Sequence, residues 1–546
     1  MIMDSSFEIS GNIVDVVRNR IFPGTLRVGN GRIIEVKESV ISSGQYILPG
    51  LVDAHVHIES SMLIPSEFAR IAVVHGTVAT VSDPHEIGNV LGIEGVQFMI
   101  SNGRKVPFKF NFGAPSCVPA TKFETAGATI DPAEIEELLK SVEIRYLSEM
   151  MNYPGVLFND PLVRKKLELA VKYAKPIDGH APGLRGEQLS KYIRAGISTD
   201  HECFSMEEAL EKISLGMKIL IREGSAAKNF DALSDLIGNF NEMTMLCSDD
   251  KHPDDLIEGH INLLLKRGME KGYDPLKVIR SCTLNPVKHY HLDTGLLQKN
   301  DPADFIVVDD LFTFNVLKTF INGHLVAKEG KSLIDPIAEA PVNLFNTGKI
   351  LQGSIRIPGT NKMMRVIKAL DGQLVTEELI VEPRIVQGEV TGDPERDILK
   401  IVVKNRYADT VPSVAFVSGF GIKAGAIASS VAHDSHNIIA VGSDDESITE
   451  AINLVIDTKG GVVVVTKDKR QILPLPFAGI MSDTDGYHVG KKYAELNALA
   501  REIGSNMVSP LMTLSFMALL VIPKLKLSDK GLFNGTDFSF NSLFIN

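Results

Sequence analysis

An apolar run, Tyr46-Ile-Leu-Pro-Gly-Leu-Val52, leads into Asp53 and then into His55-x-His57. The run alternates and is rich in branched residues, so the pattern predicts a buried strand ending at His57. Further strand-like runs end near Asp83, Gly113, Glu149, His180, His201, Glu223 and Asp249. Between them lie helix candidates over 131–141, 160–174, 186–195, 206–215 and 229–237, several opening on Asp, Asn or Ser as N-caps do. This alternation predicts βα units on a parallel sheet, and the strand count is that of a (β/α)8 barrel of the TIM type. In that architecture the polar residues at C-terminal strand ends carry the chemistry.

The flanks read differently. Ile13-Val-Asp-Val-Val17, Thr25-Leu-Arg-Val28 and Arg32-Ile-Ile-Glu-Val36 are short strands separated by the turn signals Phe22-Pro-Gly and Gly29-Asn-Gly-Arg. That segment is too small to bury a core alone, and matching strand runs, Ala303–Asp309 and Asn315–His324, appear beyond the barrel. The expectation is a small composite β domain from residues 1–47 plus 296–345, interrupted by the barrel at 48–295. From Leu351 onward, runs beginning at Val402, Val414, Ile438 and Gly461 alternate with helical stretches, which predicts a C-terminal α/β domain over 350–546.

A length of 546 residues exceeds a single core and suits two or three domains. The net charge of −12, with no basic cluster, argues against nucleic acid or an anionic membrane as partner. The start, Met-Ile-Met-Asp-Ser-Ser, has neither the basic nor the apolar region of an export signal. Cys117, Cys203, Cys247 and Cys282 form no CxxC pair and suit a reducing compartment. The longest apolar stretch, Leu511–Pro523, is too short to span a bilayer. A cytoplasmic protein is expected.

Side chains at i and i+2 of a strand share a face, so His55 and His57 aim two imidazoles at one point, as a divalent metal requires. Collected with the other strand ends, they give His55, His57, Glu149, His180, His201 and Asp249. Each alone reads more simply as a structural or solvated residue; the set, falling in barrel order, reads as ligands. Imidazoles mixed with carboxylates suit Zn, Mn or Fe(II), and the set is large enough for two ions. Glu149, from the middle of the barrel, can place one oxygen on each ion and bridge them, while Asp249 touches one ion and takes a proton from the hydroxide they activate.

The stretch Pro49-Gly-Leu-Val-Asp-Ala-His-Val-His57, with histidines on later strands and an aspartate on the eighth, resembles the amidohydrolase superfamily. Many members carry a carbamylated lysine on the fourth strand; Ser148-Glu149-Met-Met-Asn-Tyr-Pro-Gly155 offers a glutamate instead. That departure is similar to adenine deaminases of the bacterial and archaeal type. Their likeness extends through His55-Val-His-Ile-Glu-Ser-Ser-Met62, Ser82-Asp-Pro-His-Glu-Ile-Gly-Asn89, Asp178-Gly-His-Ala-Pro182, Thr199-Asp-His-Glu202, Arg222-Glu-Gly-Ser225 and Ser248-Asp-Asp-Lys-His-Pro253. It continues to Ala432-His-Asp-Ser-His-Asn437 and Leu514–Pro523. The resemblance implies hydrolytic deamination of adenine to hypoxanthine and ammonia by metal-activated hydroxide attack at C6, in purine salvage. It also implies two divalent ions, Mn or Fe(II) ahead of Zn, and favours Asp249 over Asp250 as the proton shuttle. A homodimer is expected.

Glu59 stands where superfamily members acting on dihydroorotate-like carboxylates place an arginine. A carboxylate there repels carboxylate substrates and accepts hydrogen bonds from N–H donors such as a purine presents, unless a neighbouring arginine pairs with it. A second acid must protonate the purine ring, and Glu59, Glu202 and His85 are the candidates. Asp83 and His85 at the end of the second strand, and Arg222 and Ser225 at the seventh, are candidate substrate contacts. His433 and His436 fit either a hydrogen-bonded turn or a contribution of the C-terminal domain to the site. A hydrolase of another 6-aminopurine or of a cyclic amide on the same scaffold, and a non-catalytic barrel, are the competing readings. The His-x-Glu with Pro-Cys-x-x-Cys signature of cytidine-type zinc deaminases is absent.

Overall fold

The computed structural model describes residues 6–545; the Met-Ile-Met-Asp-Ser start, on which the export-signal reading rests, lies outside them. The chain opens as an antiparallel meander of β1 (Phe7–Asp15), β2 (Arg20–Gly29) and β3 (Arg32–Glu38). Asn30-Gly31 makes the second turn with both φ positive, at 52° and 74°, as a tight hairpin of the twist-matching type needs. Phe22-Pro-Gly, in contrast, does not turn the chain. Pro23 lies inside β2 opposite Asn12, and pairing with β3 begins only at Gly24, so the missing N–H removes no rung on that side.

The single strand expected over residues 46–57 is two. β4 (Tyr46–Pro49) joins β1 in the outer sheet, and β5 (Leu51–Val56) opens the barrel. The break sits at Gly50, where a Cβ would lie 2.4 Å from the Val78 side chain. Only glycine lets the chain pass from one sheet to the other there.

The barrel strands are β5, β6 (Thr77–Ser82), β7 (Lys109–Ala114), β8 (Ile144–Met150), β9 (Ile177–Gly179), β10 (Thr199–Asp200), β11 (Lys218–Arg222) and β12 (Thr244–Cys247). They pair in parallel from β5 to β9 and from β10 to β12. A bond from Ser198 N to Ile177 O (3.0 Å) links the two runs. Closure onto β5 comes from Asp249, whose N–H donates to His55 O (2.9 Å) and whose carbonyl accepts from His57 N (3.2 Å). Most connecting helices begin where Asp or Ser caps were expected, among them Pro132–Lys140 after Asp131, Pro161–Lys172 after Asp160 and Met206–Ser214 after Ser205. The helix expected over 229–237 is instead two short ones, Phe230–Leu233 and Asp235–Asn239. Asn229 does not cap it: its side chain accepts from Arg222 N and donates to the carbonyls of His201 and Cys203, tying β10 to β11.

Beyond the barrel, β13 (Phe305–Val308), β14 (Val316–Ile321), β15 (His324–Lys328) and β16 (Lys331–Ser332) return to the outer sheet, where β13 pairs with β4. The C-terminal part holds an eight-stranded sheet over residues 364–474, mostly antiparallel, with helix Asp445–Asp457 on one face. It is packed onto the barrel. Helix Gly486–Glu502 approaches helix Pro253–Glu258 so closely that a Cβ on Gly490 would lie 2.7 Å from Pro253 O. Leu511–Pro523 becomes helix Pro510–Phe516 followed by turns. Among the described residues no helix is long and apolar enough to cross a membrane.

Candidate active site

The ends of β5, β8, β9, β10 and β12 converge. Asp53 sets the first of them: its carboxylate accepts from Ser248 N (3.0 Å) and His260 Nε2 (2.8 Å), fixing β5 against the segment that carries Asp249. His55 Nε2 and His57 Nε2 lie 3.2 Å apart. His57 Nδ1 bonds Asp83 O (3.2 Å), which points Nε2 inward. His57 Nε2 is 3.2 Å from both Glu149 Oε1 and Asp249 Oδ1, and His55 Nε2 is 3.5 Å from Asp249 Oδ1. The other oxygen of Glu149 faces a second pair of imidazoles: Oε2 is 2.6 Å from His180 Nδ1 and 3.3 Å from His201 Nε2. The pairing of β8 with β9 slips register between Leu147 and Met150, and such a slip re-aims side chains. Glu149 sits within that irregular stretch. Asp249 has left-handed backbone geometry (φ 57°), turning its carboxylate toward the histidines.

All six residues are buried or nearly so. Burial pushes the Glu149 carboxyl up, but the charge and hydrogen bonds of His180, with bonds from His201 and His57, hold it well below the usual range. Burial likewise disfavours a charged His57, and Asp249 and Glu149 outweigh it. Carboxylates interleaved with inward-facing imidazole nitrogens are a set of groups that could hold divalent ions. The two oxygens of Glu149, each facing its own pair of histidines, divide that set into two.

Arg222 braces the far side. Its Nη1 is 2.5 Å from both Glu202 Oε1 and Asp249 Oδ2, its Nη2 donates to Glu202 Oε2 (3.0 Å), and its Nε donates to Ala227 O (2.9 Å). It is therefore committed within the protein rather than free for substrate. Against the upward push of burial, Arg222 and then the His180 and His201 imidazoles hold Glu202 ionised, at about 2. Glu202 has no proton to give at neutral pH and instead faces His180 Nδ1 (3.5 Å) and His201 Nε2 (3.4 Å).

Residues 46–326 match the amidohydrolase family, and residues 373–539 match the adenine deaminase C-terminal domain. Curated relatives named adenine deaminase are 55% identical in Methanosarcina barkeri, 52% in Salinibacter ruber and 46% in Borreliella burgdorferi. The alignments cover 98%, 100% and 98% of this chain and 98%, 100% and 99% of those relatives. The chain belongs to the adenine deaminase family. Its barrel and C-terminal part are thus both family features, and the structure joins them at one cavity.

That cavity, of about 40 Å³, is lined by His57, Glu149, His180, His201, Glu202, Arg222 and Asp249 on the barrel side. The helix that follows the second strand, His85–Leu91, adds His85 and Glu86, and the C-terminal part adds His433 and Asp434. Asp83 holds His85, with Oδ2 3.1 Å from His85 Nδ1, and does not itself line the cavity. His433 and His436 lie in a hydrogen-bonded turn, with His436 N donating to Ala432 O (2.7 Å), and the same turn also reaches the barrel. His433 Nδ1 bonds Glu86 Oε1 (2.5 Å), and His436 Nε2 bonds Glu86 Oε2. Glu86 and Asp434 were not singled out from the sequence, although both lie inside the motifs quoted for the family resemblance.

Two expected contacts lie elsewhere. Glu59 is buried behind the cavity wall, with no arginine partner; Oε1 accepts from Ile87 N (3.2 Å), and burial raises its carboxyl to about 7. The chain leaves strand geometry after Val56 and enters a short 3-10 helix, Ile58–Ser61, which turns Glu59 off the ligand face. Ser225 lines a neighbouring cavity of about 160 Å³, and its hydroxyl accepts from His252 N (2.9 Å).

An apolar wall of Leu374, Phe516, Leu519, Val521 and Ile522, all from the C-terminal part, closes the metal-side cavity. Met151 and Val521 also border a larger cavity of about 620 Å³ that reaches the surface loops. Lys526 ties the wall together: its buried Nζ donates to Leu374 O (2.5 Å) and Phe516 O (3.0 Å). Burial lowers this lysine from 10.5 to about 7. Between those values the unfolded chain binds a proton that the folded chain has released, so stability rises with pH. Denaturant unfolding should show wild type gaining about 2 kcal/mol over Lys526→Met between about pH 7 and about pH 9. A pH-independent difference would contradict this account of Lys526.

Proposed function

We propose that the chain hydrolyses adenine to hypoxanthine and ammonia at a site for two divalent ions, Mn or Fe(II), in purine salvage. The observation that carries the two-ion reading is the Glu149 carboxylate, with one oxygen on His57 and the other on His180 and His201. His55, His57, Glu149 and Asp249 would hold one ion, and Glu149, His180 and His201 the other, with Glu202 beside them. When bound, such ions lower the pKa of a shared water toward neutrality and supply the nucleophile.

The residues of the chain do the rest. Asp249, whose second oxygen Arg222 holds at 2.5 Å, takes the proton that the attacking water releases and delivers it to the departing amine. Burial works against the charged form of Asp249, but Arg222 and the hydrogen bonds of His55 and His57 keep its carboxyl ionised and ready to accept. Leu374, Phe516, Leu519, Val521 and Ile522 offer the flat apolar contact that a purine face requires and exclude bulk water. At about 40 Å³ the cavity holds only a few waters, so adenine enters by displacing part of this wall toward the larger cavity. The free, buried cysteines support a reducing compartment, and we assign the enzyme to the cytoplasm.

The test is ammonia release from adenine, adenosine and cytosine by Mn-loaded protein. The reading predicts ammonia from adenine and none from adenosine or cytosine. Silence on all three, with metal bound, would overturn it and point to a cyclic amide.

A further inference from the structure

The chemistry above needs a proton for the purine ring, and the candidates named from the sequence do not supply it well. Glu59 lies behind the wall, and Glu202 is ionised against Arg222. His85 lines the cavity, but the charges of Asp83 (Oδ2 3.1 Å from Nδ1) and Glu86 (Oε1 3.5 Å from Nε2) favour its protonated form against the cost of burial, while Nδ1 makes no hydrogen bond in the protein. One further carboxyl faces the same space from across the domain joint. Asp434 is 4% exposed, lines the cavity, and places Oδ1 3.9 Å from His85 Nε2. Its Oδ2 is buried with no hydrogen-bond partner in the protein. A fully buried carboxyl oxygen left open at a ligand cavity is costly unless it is protonated or meets a ligand.

We infer that Asp434, a residue of the C-terminal domain, is the acid that protonates the ring nitrogen next to C6 during deamination. This inference rests on the adenine deaminase reading. As the water oxygen bonds to C6, the C6=N1 π pair moves onto N1 and takes the Asp434 proton. The first water proton, held by Asp249, goes to the amino group, and the C–N bond pair leaves with ammonia. The second water proton departs as the C6 carbonyl forms and restores Asp434, so hypoxanthine keeps the N1 proton and nothing else is consumed.

The charged groups facing Asp434 are Glu86, His85, His433, Glu149 and, on its other side, Glu124. Burial first, then the Glu86 charge, raises its carboxyl to about 6, while His85 and His433 pull the other way. Asp434 stands apart from the residues that would hold the ions and presents an unpartnered oxygen to the cavity, the placement a proton donor needs. His433 and His436 clamp Glu86 on either side of Asp434 in sequence and so hold the acid over the cavity.

Asp434→Asn keeps the shape but has no acidic proton; Asp434→Glu keeps the carboxyl. With both variants and wild type loaded with Mn, the experiment reads adenine kcat/KM across pH, metals per chain and melting temperature. The inference predicts that Asp434→Asn loses about 10²–10³-fold with metal content and melting retained. It also predicts that the alkaline fall of the wild-type profile disappears in Asp434→Asn and is partly restored in Asp434→Glu. Wild-type-like turnover in Asp434→Asn would overturn the inference. So would a loss that tracks missing metal or a lowered melting temperature, or one that Asp434→Glu does not relieve. A wild-type enzyme silent on adenine would instead sink the underlying reading.

Discussion

Glu149→Gln should leave the protein unable to keep two ions and lower kcat/KM for adenine by roughly 10³-fold or more, beyond the 10–100-fold that outer-shell losses cost. The neutral amide removes the negative charge shared between the two groups of imidazoles and replaces one acceptor oxygen with an N–H donor. His57 faces Oε1 at 3.2 Å and His180 faces Oε2 at 2.6 Å, so either orientation of the amide sets a donor against a nitrogen that should bind metal. Metal analysis of dialysed protein beside the rate measurement checks this. Full metal content with full turnover would show that Glu149 does not join the two groups.

Asp249→Asn should lower kcat by about 10²–10⁴-fold, the usual worth of a general acid–base residue. Two contributions add: the water loses its proton acceptor, and the amine loses its donor. They separate with 6-chloropurine, because chloride leaves without a proton. The variant should therefore be at least about tenfold less impaired on 6-chloropurine than on adenine. Equal impairment on both would remove the amine-protonating role. Arg222 keeps its paired bonds to Glu202 in this variant, so the fold around it should hold.

The convergence of the six proposed ligands was legible because it depends on short-range periodicity. His55 and His57 share a strand face, and Glu149, His180, His201 and Asp249 each stand at or just past the end of a strand whose apolar run is visible. Strand periodicity stops one step beyond the strand. Glu59 continues the i, i+2 series on paper, but the backbone has already turned into a 3-10 helix. Gly50 could not be read as a sheet switch, since what forbids a side chain there is Val78 on the next strand. The clamp of His433 and His436 on Glu86 joins residues 347 and 350 apart in sequence, a distance over which one sequence carries no pairing signal. Asp434 was hidden for the same reason: its neighbours His85 and Glu86 open the helix after the second barrel strand.

The most direct test of the account is a metal titration of chelator-stripped protein, following adenine turnover as Mn(II) is added. Two ions bridged by Glu149 predict no turnover in the stripped protein and activity that rises to a plateau at about two equivalents per chain. Turnover in the stripped protein, or a plateau at about one equivalent, would contradict it.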